Sequence, residues 1–325
     1  MNRFLAFLVA LFLASGNFAL CQQQPASSGT RDKVIIDTDI GDDIDDSFAL
    51  ALVLSSPEID LLGVSTAWGN TQLRARIVDR MLCETGKNEI PIFAGIPSTS
   101  KIGMDEAPWA EEMPAPDKPY GSSLDFILDR IRRYPNQITL LAIAPFINVG
   151  ALIERDPDTF RKLKRVVIMG GSVYKGYNDL GYMPGHGPDP EYNIYSDIPA
   201  ARRLFASGVP LFVMPLDSTQ IKLEGYEREL IFSHGTPLTD ALALLYHHWG
   251  QQTPTLYDAV AAAFAIDPQL CPVTPLRLEI DDKGYTRPVA GAPNAQVCLK
   301  SNFDDFLHFY LGRVLRQNLR GHCSR

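Results

Sequence analysis

Lys33-Val34-Ile35-Ile36-Asp37-Thr38-Asp39-Ile40-Gly41-Asp42-Asp43-Ile44-Asp45-Asp46-Ser47-Phe48-Ala49-Leu50 is the stretch on which the fold turns. An apolar, β-branched run ends on an acid, six carboxylates crowd into ten residues, and an apolar segment with helical character follows from Ser47. Carboxylates this close repel one another unless a cation or protons neutralise some of them. Gly41 permits a sharp turn that folds the acids back toward the strand end. A solvated loop, or a helix cap at Asp45 or Asp46, is the plainer explanation of such acids. It fits poorly with a cluster that follows an apolar strand directly.

Outward from this stretch the chain keeps alternating. Ile59 to Thr66 reads as a strand. Leu73 to Thr85 reads as a helix, because Ile77, Met81 and Leu82 share one face. Ile138 to Ile143, Val166 to Gly171 and Val209 to Asp217 read as further strands. Asn148 to Ile153, Leu238 to Trp249 and Thr255 to Ile266 read as helices. The alternation predicts an α/β fold with an open, mostly parallel central sheet flanked by helices, a Rossmann-like core. Ligands of such sheets sit beyond the carboxyl ends of the strands. Attention therefore falls on Asp37, Asp39, Asn70, Ile143, the loop after Gly171, and Asp217. Tyr174 to Pro190, rich in Gly, Pro and Asp, reads as an irregular loop able to close over a site.

The 325 residues are 46% hydrophobic and 21% charged, enough to bury a large core without a metal or disulfide staple. A formal net charge of -8 argues against a nucleic-acid polymer as partner, while leaving a small nucleoside or a cation open. Asn2 and Arg3, the apolar run Phe4 to Ala14 and the polar spacer from Gln22 have the order of an export signal. The reading is a signal peptide over 1–21, a flexible leader over 22–30, and a single domain over 31–325. The chain is then periplasmic or extracellular, with a lipid anchor on Cys21 as a weaker alternative. Four cysteines remain after the signal, allowing two disulfides, with Cys271 and Cys298 able to staple the C-terminal part.

Oxygen donors without a nearby histidine or cysteine favour a hard cation, Ca²⁺ or Mg²⁺. A metal-dependent phosphatase also opens with Asp-x-Asp after a strand. It needs a lysine from a later loop, and Lys162 and Lys164 here follow a helix instead.

The acidic run resembles the opening signature of the inosine-uridine preferring nucleoside hydrolases, Asp-x-Asp-x-Gly-x-Asp-Asp before a helix, with two extra residues. Further segments similar to that family appear in its order: Ser65 to Asn70, Leu140 to Asn148, Val167 to Gly171, Glu191-Tyr192-Asn193, Pro215 to Asp217, and Tyr257-Asp258. The resemblance runs from about Lys33 to the C-terminal region. It implies calcium-dependent hydrolysis of a ribonucleoside, or another N-riboside, to ribose and free base. By it, Asp39, Asp46 and Asp258 bind Ca²⁺ through carboxylates and Ile143 through its carbonyl, with the ribose 2' and 3' hydroxyls and a water completing the shell. Asp45 is the catalytic base, with Asp43 an alternative base or ligand because of the two-residue extension. Asn70, Glu191 and Asn193 hold the ribose, Asn178 meets the 5' hydroxyl, and Asp37 braces the metal loop from behind. A homo-oligomer, dimer or tetramer, is also implied.

The chain departs from the pattern at Tyr257, where members commonly carry a histidine that assists the leaving base. A phenol ionises near pH 10 and is a poorer proton donor at neutral pH. His186 in the glycine-proline loop is a conceivable substitute, and Trp68, Tyr174, Tyr177 and Tyr182 are candidates to stack on a base. From a different class, an exported nucleoside or sugar receptor could keep the calcium cradle without turnover.

Overall fold

The computed structural model describes residues 31–99, 102–177, 186–321 and 323. The signal and leader expected over 1–30 lie outside them. The strands are β1 (Asp32–Thr38), β2 (Ile59–Thr66), β3 (Ile92–Ala94), β4 (Ile138–Ala142), β5 (Arg165–Met169), β6 (Leu211–Met214), β7 (Val273–Ile280), β8 (Thr286–Val289) and β9 (Ala295–Cys298). They form one nine-stranded sheet in the order β3-β2-β1-β4-β5-β6-β9-β7-β8. Every pairing from β3 across to β9 is parallel, and β7 pairs antiparallel with β9 and β8.

Val34, Ile35 and Ile36 are all sealed from solvent, as a strand covered on both faces requires. One face carries the helices Asp45–Leu54, Thr71–Glu84, Pro237–Trp249, Tyr257–Ile266 and Phe303–Val314; the other carries Ser123–Arg133, Ile147–Arg155 and Ile198–Phe205.

Two details of this layout position the site. The strand order reverses between β1 and β4, so the crossovers leave a crevice outside the carboxyl ends of those two strands. Asp37 is level with Ala142 there, and the Ile143 amide donates to the Asp37 carbonyl at 2.9 Å. The second detail is a pair of buried helices. Asp45–Leu54 is buried at every position and Tyr257–Ile266 at all but its last. The alanines at 259, 261, 262, 263 and 265 let the second helix lie close against its partner. Their first turns come together at the crevice.

The β7–β9 ribbon was not foreseen from the alternation of strands and helices. Pro275 and Pro288 mark the ribbon strands β7 and β8, where a missing backbone donor is tolerated. Cys271 and Cys298 are bridged, joining the start of this ribbon to the end of β9, and Cys83–Cys323 ties the C-terminus to helix Thr71–Glu84. Among the described residues no helix is long and apolar enough to cross a membrane.

Candidate functional site

Asp45 and Asp46 open one buried helix and Asp258 opens the other. Their carboxylate oxygens lie within 4.8 Å of one another, and the three residues are 6%, 3% and 3% exposed. Acids at a helix N-terminus are favoured by the helix dipole, which offsets part of the cost of their burial. Few donors help further. The Asp258 amide donates to Asp45 Oδ2 at 3.3 Å, and Thr38 Oγ1 donates to Asp46 Oδ1. Burial and then mutual repulsion push all three carboxyls well above the ordinary carboxylate range: Asp45 by Asp43 and Asp39, Asp46 by Asp39 and Asp45, Asp258 by Asp45 and Asp46.

The cavity in front of this trio has a volume of about 350 Å³ and is lined also by Asp39, Asp42, Asp43, Ile143, Glu191, Asn193 and Tyr257. Asp39 borders it without entering the 4.8 Å cluster. Asp43 is exposed and accepts from the Ile44 amide at 2.8 Å, whereas Asp45 is buried within the trio. Glu191 caps the short helix Tyr192–Ser196. Its oxygens accept from the amides of Gly171 (2.9 Å), Asn193 (2.9 Å) and Ile194 (3.1 Å), and burial still raises it to about 7. Asn193 is tied through Nδ2 to the Met169 carbonyl at 3.1 Å.

Asp37 does not line the cavity. It sits behind, where Ser65 Oγ (2.6 Å) and Asn148 Nδ2 (2.8 Å) both donate to its Oδ1, and burial lifts it to about 6. Asn148 also accepts from the Ile96 amide and donates to the Thr66 carbonyl, fastening β1, β2 and the loop after β3 together.

Some expected residues are not brought to the cavity. Asn70 is exposed, and its side chain accepts from the Leu73 amide at 3.1 Å as the cap of helix Thr71–Glu84. Trp68 (φ 65°) and Gly69 (φ 60°) are left-handed and turn the chain after β2, and Asn70 borders a different surface depression. Asn178 and Tyr182 lie outside the described residues. His186 is not among the described residues lining the cavity; its Nε2 meets Asp189 Oδ1 at 2.8 Å. Asp189 in turn accepts from the Tyr177 amide at 2.9 Å. Tyr177 does reach the cavity, edge-on to Tyr257 with centroids 6.4 Å apart at 81°. Lys164, considered for a phosphatase, pairs with Asp32 at the opposite end of β1.

Two residues escaped the sequence reading. Arg74 is 1% exposed and lies under the acidic loop. Its guanidinium donates to the carbonyls of Asp39, Ile40 (2.9 Å) and Trp68 (2.8 Å) and pairs with Asp42 at 3.0 Å. Its spacing of three, four and seven from Ile77, Val78 and Met81, which puts a cation on an apolar helix face, was the available signal. Glu106 is fully buried against Ser47 Oγ, and burial drives it well above the usual range.

The donor set fits a hard divalent cation. Three carboxylates converge with few protein donors to balance them, all donors are oxygen, and Ile143 at the end of β4 borders the same space.

Residues 34–308 match the inosine-uridine preferring nucleoside hydrolase family. Uridine nucleosidase 1 of Arabidopsis thaliana is 33% identical over 214 residues, 60% of this chain and 60% of that protein, so the match spans about three-fifths of its length. The pyrimidine-specific ribonucleoside hydrolase RihA of Citrobacter koseri is 29% identical over 78% of this chain and 86% of its own. Among solved structures, a plant nucleoside hydrolase superposes with a TM-score of 0.77 at 23% identity, covering 88% of this chain and 99% of that one, and so shares the fold.

Proposed function

We propose that this chain, which belongs to the inosine-uridine preferring nucleoside hydrolase family, uses a bound calcium ion and water to cut the N-glycosidic bond of ribonucleosides, releasing ribose and free base. The observation that carries the reading is the convergence of Asp45, Asp46 and Asp258 within 4.8 Å beside a cavity of about 350 Å³. The names of the uridine nucleosidase and the pyrimidine-specific hydrolase among its relatives support the same reaction class.

In this reading Asp39, Asp46 and Asp258 hold the ion through carboxylates and Ile143 through its carbonyl. Oxygen ligands in that number suit Ca²⁺ better than the smaller, stricter Mg²⁺. When bound, the ion would supply Lewis acidity that eases deprotonation of the attacking water and positive charge to which the ribose hydroxyls are drawn. Asp45 accepts the proton of the attacking water. Its burial beside Asp46 and Asp258, against the exposure of Asp43, favours Asp45 over Asp43 for that task. Glu191 and Asn193 orient the ribose hydroxyls from a rigid, multiply bonded turn, so that C1' meets the water in a near-attack geometry. Asp37 acts from behind the loop. Export to an oxidising compartment belongs to the same proposal and draws support from the two cystine bridges.

The test is an assay of the calcium-loaded mature chain against purine and pyrimidine ribosides, following free base and reducing sugar. Turnover should vanish on chelation and in Asp45→Asn. Calorimetric calcium titration separates the roles: Asp45→Asn should keep most of its calcium affinity, while Asp46→Asn should lose it. Retention of intact nucleoside without turnover would instead establish a receptor.

A further inference from the structure

Building on the N-ribohydrolase reading, we propose that the preferred substrate is a cationic N-riboside, one whose heteroaromatic base already carries a positive charge, as in the pyridinium class.

The first ground is charge. Eight of the seventeen described residues lining the cavity are Asp or Glu, and none of the seventeen is Lys, Arg or His. A divalent ion together with Arg74, which pairs with Asp42 from behind, brings three positive charges to that surface. Asp43 and Asp105 extend the acidic lining past the buried trio to the exposed rim. Such a surface raises the local concentration of a cation and gives a neutral base nothing comparable.

The second ground is the leaving group. A neutral purine or pyrimidine departs as an anion unless an acid protonates it. Glu191, the lining carboxyl raised to about 7, is committed to three backbone amides and, in the reading above, to the ribose hydroxyls. The uncharged polar groups of the described lining are the phenols of Tyr177, Tyr192 and Tyr257 and the amides of Asn193 and Gln251, all weak acids. A cationic base needs no such help. Heterolysis of its C1'–N bond returns the electron pair to the ring nitrogen and neutralises the ring, so the base leaves as a neutral molecule. The water oxygen bonds to C1', one water proton passes to the Asp45 carboxylate and then to solvent, and ribose is released.

The third ground is shape. Tyr177 and Tyr257 meet edge to face at the cavity, 6.4 Å apart, and the Tyr177 ring is held at its far end, where its hydroxyl accepts from the Tyr192 amide at 2.9 Å. A flat cation gains from the face of such a ring as well as from the carboxylates. A neutral base gains from stacking alone.

The experiment uses the calcium-loaded chain and two readouts. In turnover, nicotinamide riboside is compared with uridine and inosine at pH 7.5. In binding, 1-methylnicotinamide, a cation, is compared with neutral nicotinamide as a competitive inhibitor, which removes the intrinsic lability of pyridinium ribosides from the comparison. We expect kcat/KM to favour nicotinamide riboside, and the methylated cation to bind more tightly than nicotinamide, each by at least ~10-fold, with the binding ratio reduced in Asp105→Asn. Equal inhibition by the two nicotinamides alongside good turnover of uridine or inosine overturns the cation preference and leaves the hydrolase standing. Failure to turn over any riboside overturns the hydrolase reading and this inference with it.

Discussion

Asp37 and Asp46 stand nine positions apart in one loop-bearing segment, and both are almost sealed from water, at 1% and 3% exposure. Their surroundings differ in kind. Asp37 receives two neutral donors, Ser65 and Asn148, onto one oxygen and has the packed ends of three strands around it. Among the described residues Asp46 receives only the Thr38 hydroxyl, and it faces two further carboxylates. The first environment satisfies an acid with the protein's own groups. The second leaves a debt of positive charge that only protons or a cation can settle. Burial is therefore a poor guide to function by itself; what separates Asp37 from Asp46, the proposed metal ligand, is who answers its lone pairs.

Removing a member of the crowded group should break the contrast most severely. If the proposed calcium site is right, Asp258→Asn assayed with calcium should lose at least ~100-fold in kcat/KM, beyond the cost of losing an outer partner of a metal site. The metal-free protein should respond in the opposite sense. The folded-state pKa values of Asp45, Asp46 and Asp258 lie above their unfolded values, so their contribution to stability is present below about pH 4 and is lost as pH rises through the raised values. Metal-free parent protein should thus be less stable at pH 8 than at pH 5. Asp258→Asn should flatten that slope, and calcium near 100 times its dissociation constant should restore ~2.7 kcal/mol to the parent alone. Chemical denaturation with and without chelator measures all of this. A variant that stays calcium-responsive would remove Asp258 from the ligand set.

Arg74 is the intermediate case, a cation that the protein itself supplies to one acid of the run. Arg74→Met keeps the apolar stem but strands Asp42 and three loop carbonyls. Breaking a buried pair by removing one partner costs ~3–5 kcal/mol, and a loss near that size should appear in urea unfolding. Calcium affinity should fall as well, because Asp39 sits on the loop that Arg74 holds. Arg74→Lys should recover part of the stability and little of the affinity, since an ammonium cannot span a carboxylate and three carbonyls at once. Unchanged calcium binding in both variants would confine Arg74 to a structural role.

How much of this was legible follows from the range of each interaction. The strand–acid–helix opening is local, so β1, the turn at Gly41 and the helix from Asp45 could be read directly. The apolar runs that became β2, β4, β5 and β6 were equally plain. Asp258 is different. It lies 213 residues from Asp45, and locally an acid at the start of a helix reads as a cap; only the family resemblance singles it out, and the alanine-rich packing of Tyr257–Ile266 against Asp45–Leu54 is what brings the two together. Arg74 was hidden by its own chemistry, for an arginine on an amphipathic helix is ordinarily taken as solvated. Asn70 shows the converse, since a polar residue after a strand end can serve the helix that follows, and here its side chain caps Thr71–Glu84. The β7–β9 ribbon breaks the alternation of strand and helix on which the rest of the sheet was read.

The smallest expected effect belongs to Asp37, and its smallness is the point of the comparison. Its carboxyl moves from 3.8 to about 6 on folding, so the stability it lends is complete below about pH 4 and is lost as pH rises through about 6. At neutral pH the charged form then weighs against the fold by up to ~3 kcal/mol. Asp37→Asn removes that ionisation. It also weakens the bonds from Ser65 and Asn148, which now donate to an amide oxygen, and it must house an NH₂ group in a place built around donors. These terms oppose each other, and the net change at pH 7.5 should be under ~1 kcal/mol, with turnover and calcium affinity near those of the parent. The clear signature is in the slope: between pH 4 and 6 the variant should lose less stability than the parent as pH rises. A large fall in calcium affinity would show that Asp37 reaches the ion after all, and that the two acids differ less than their partners suggest.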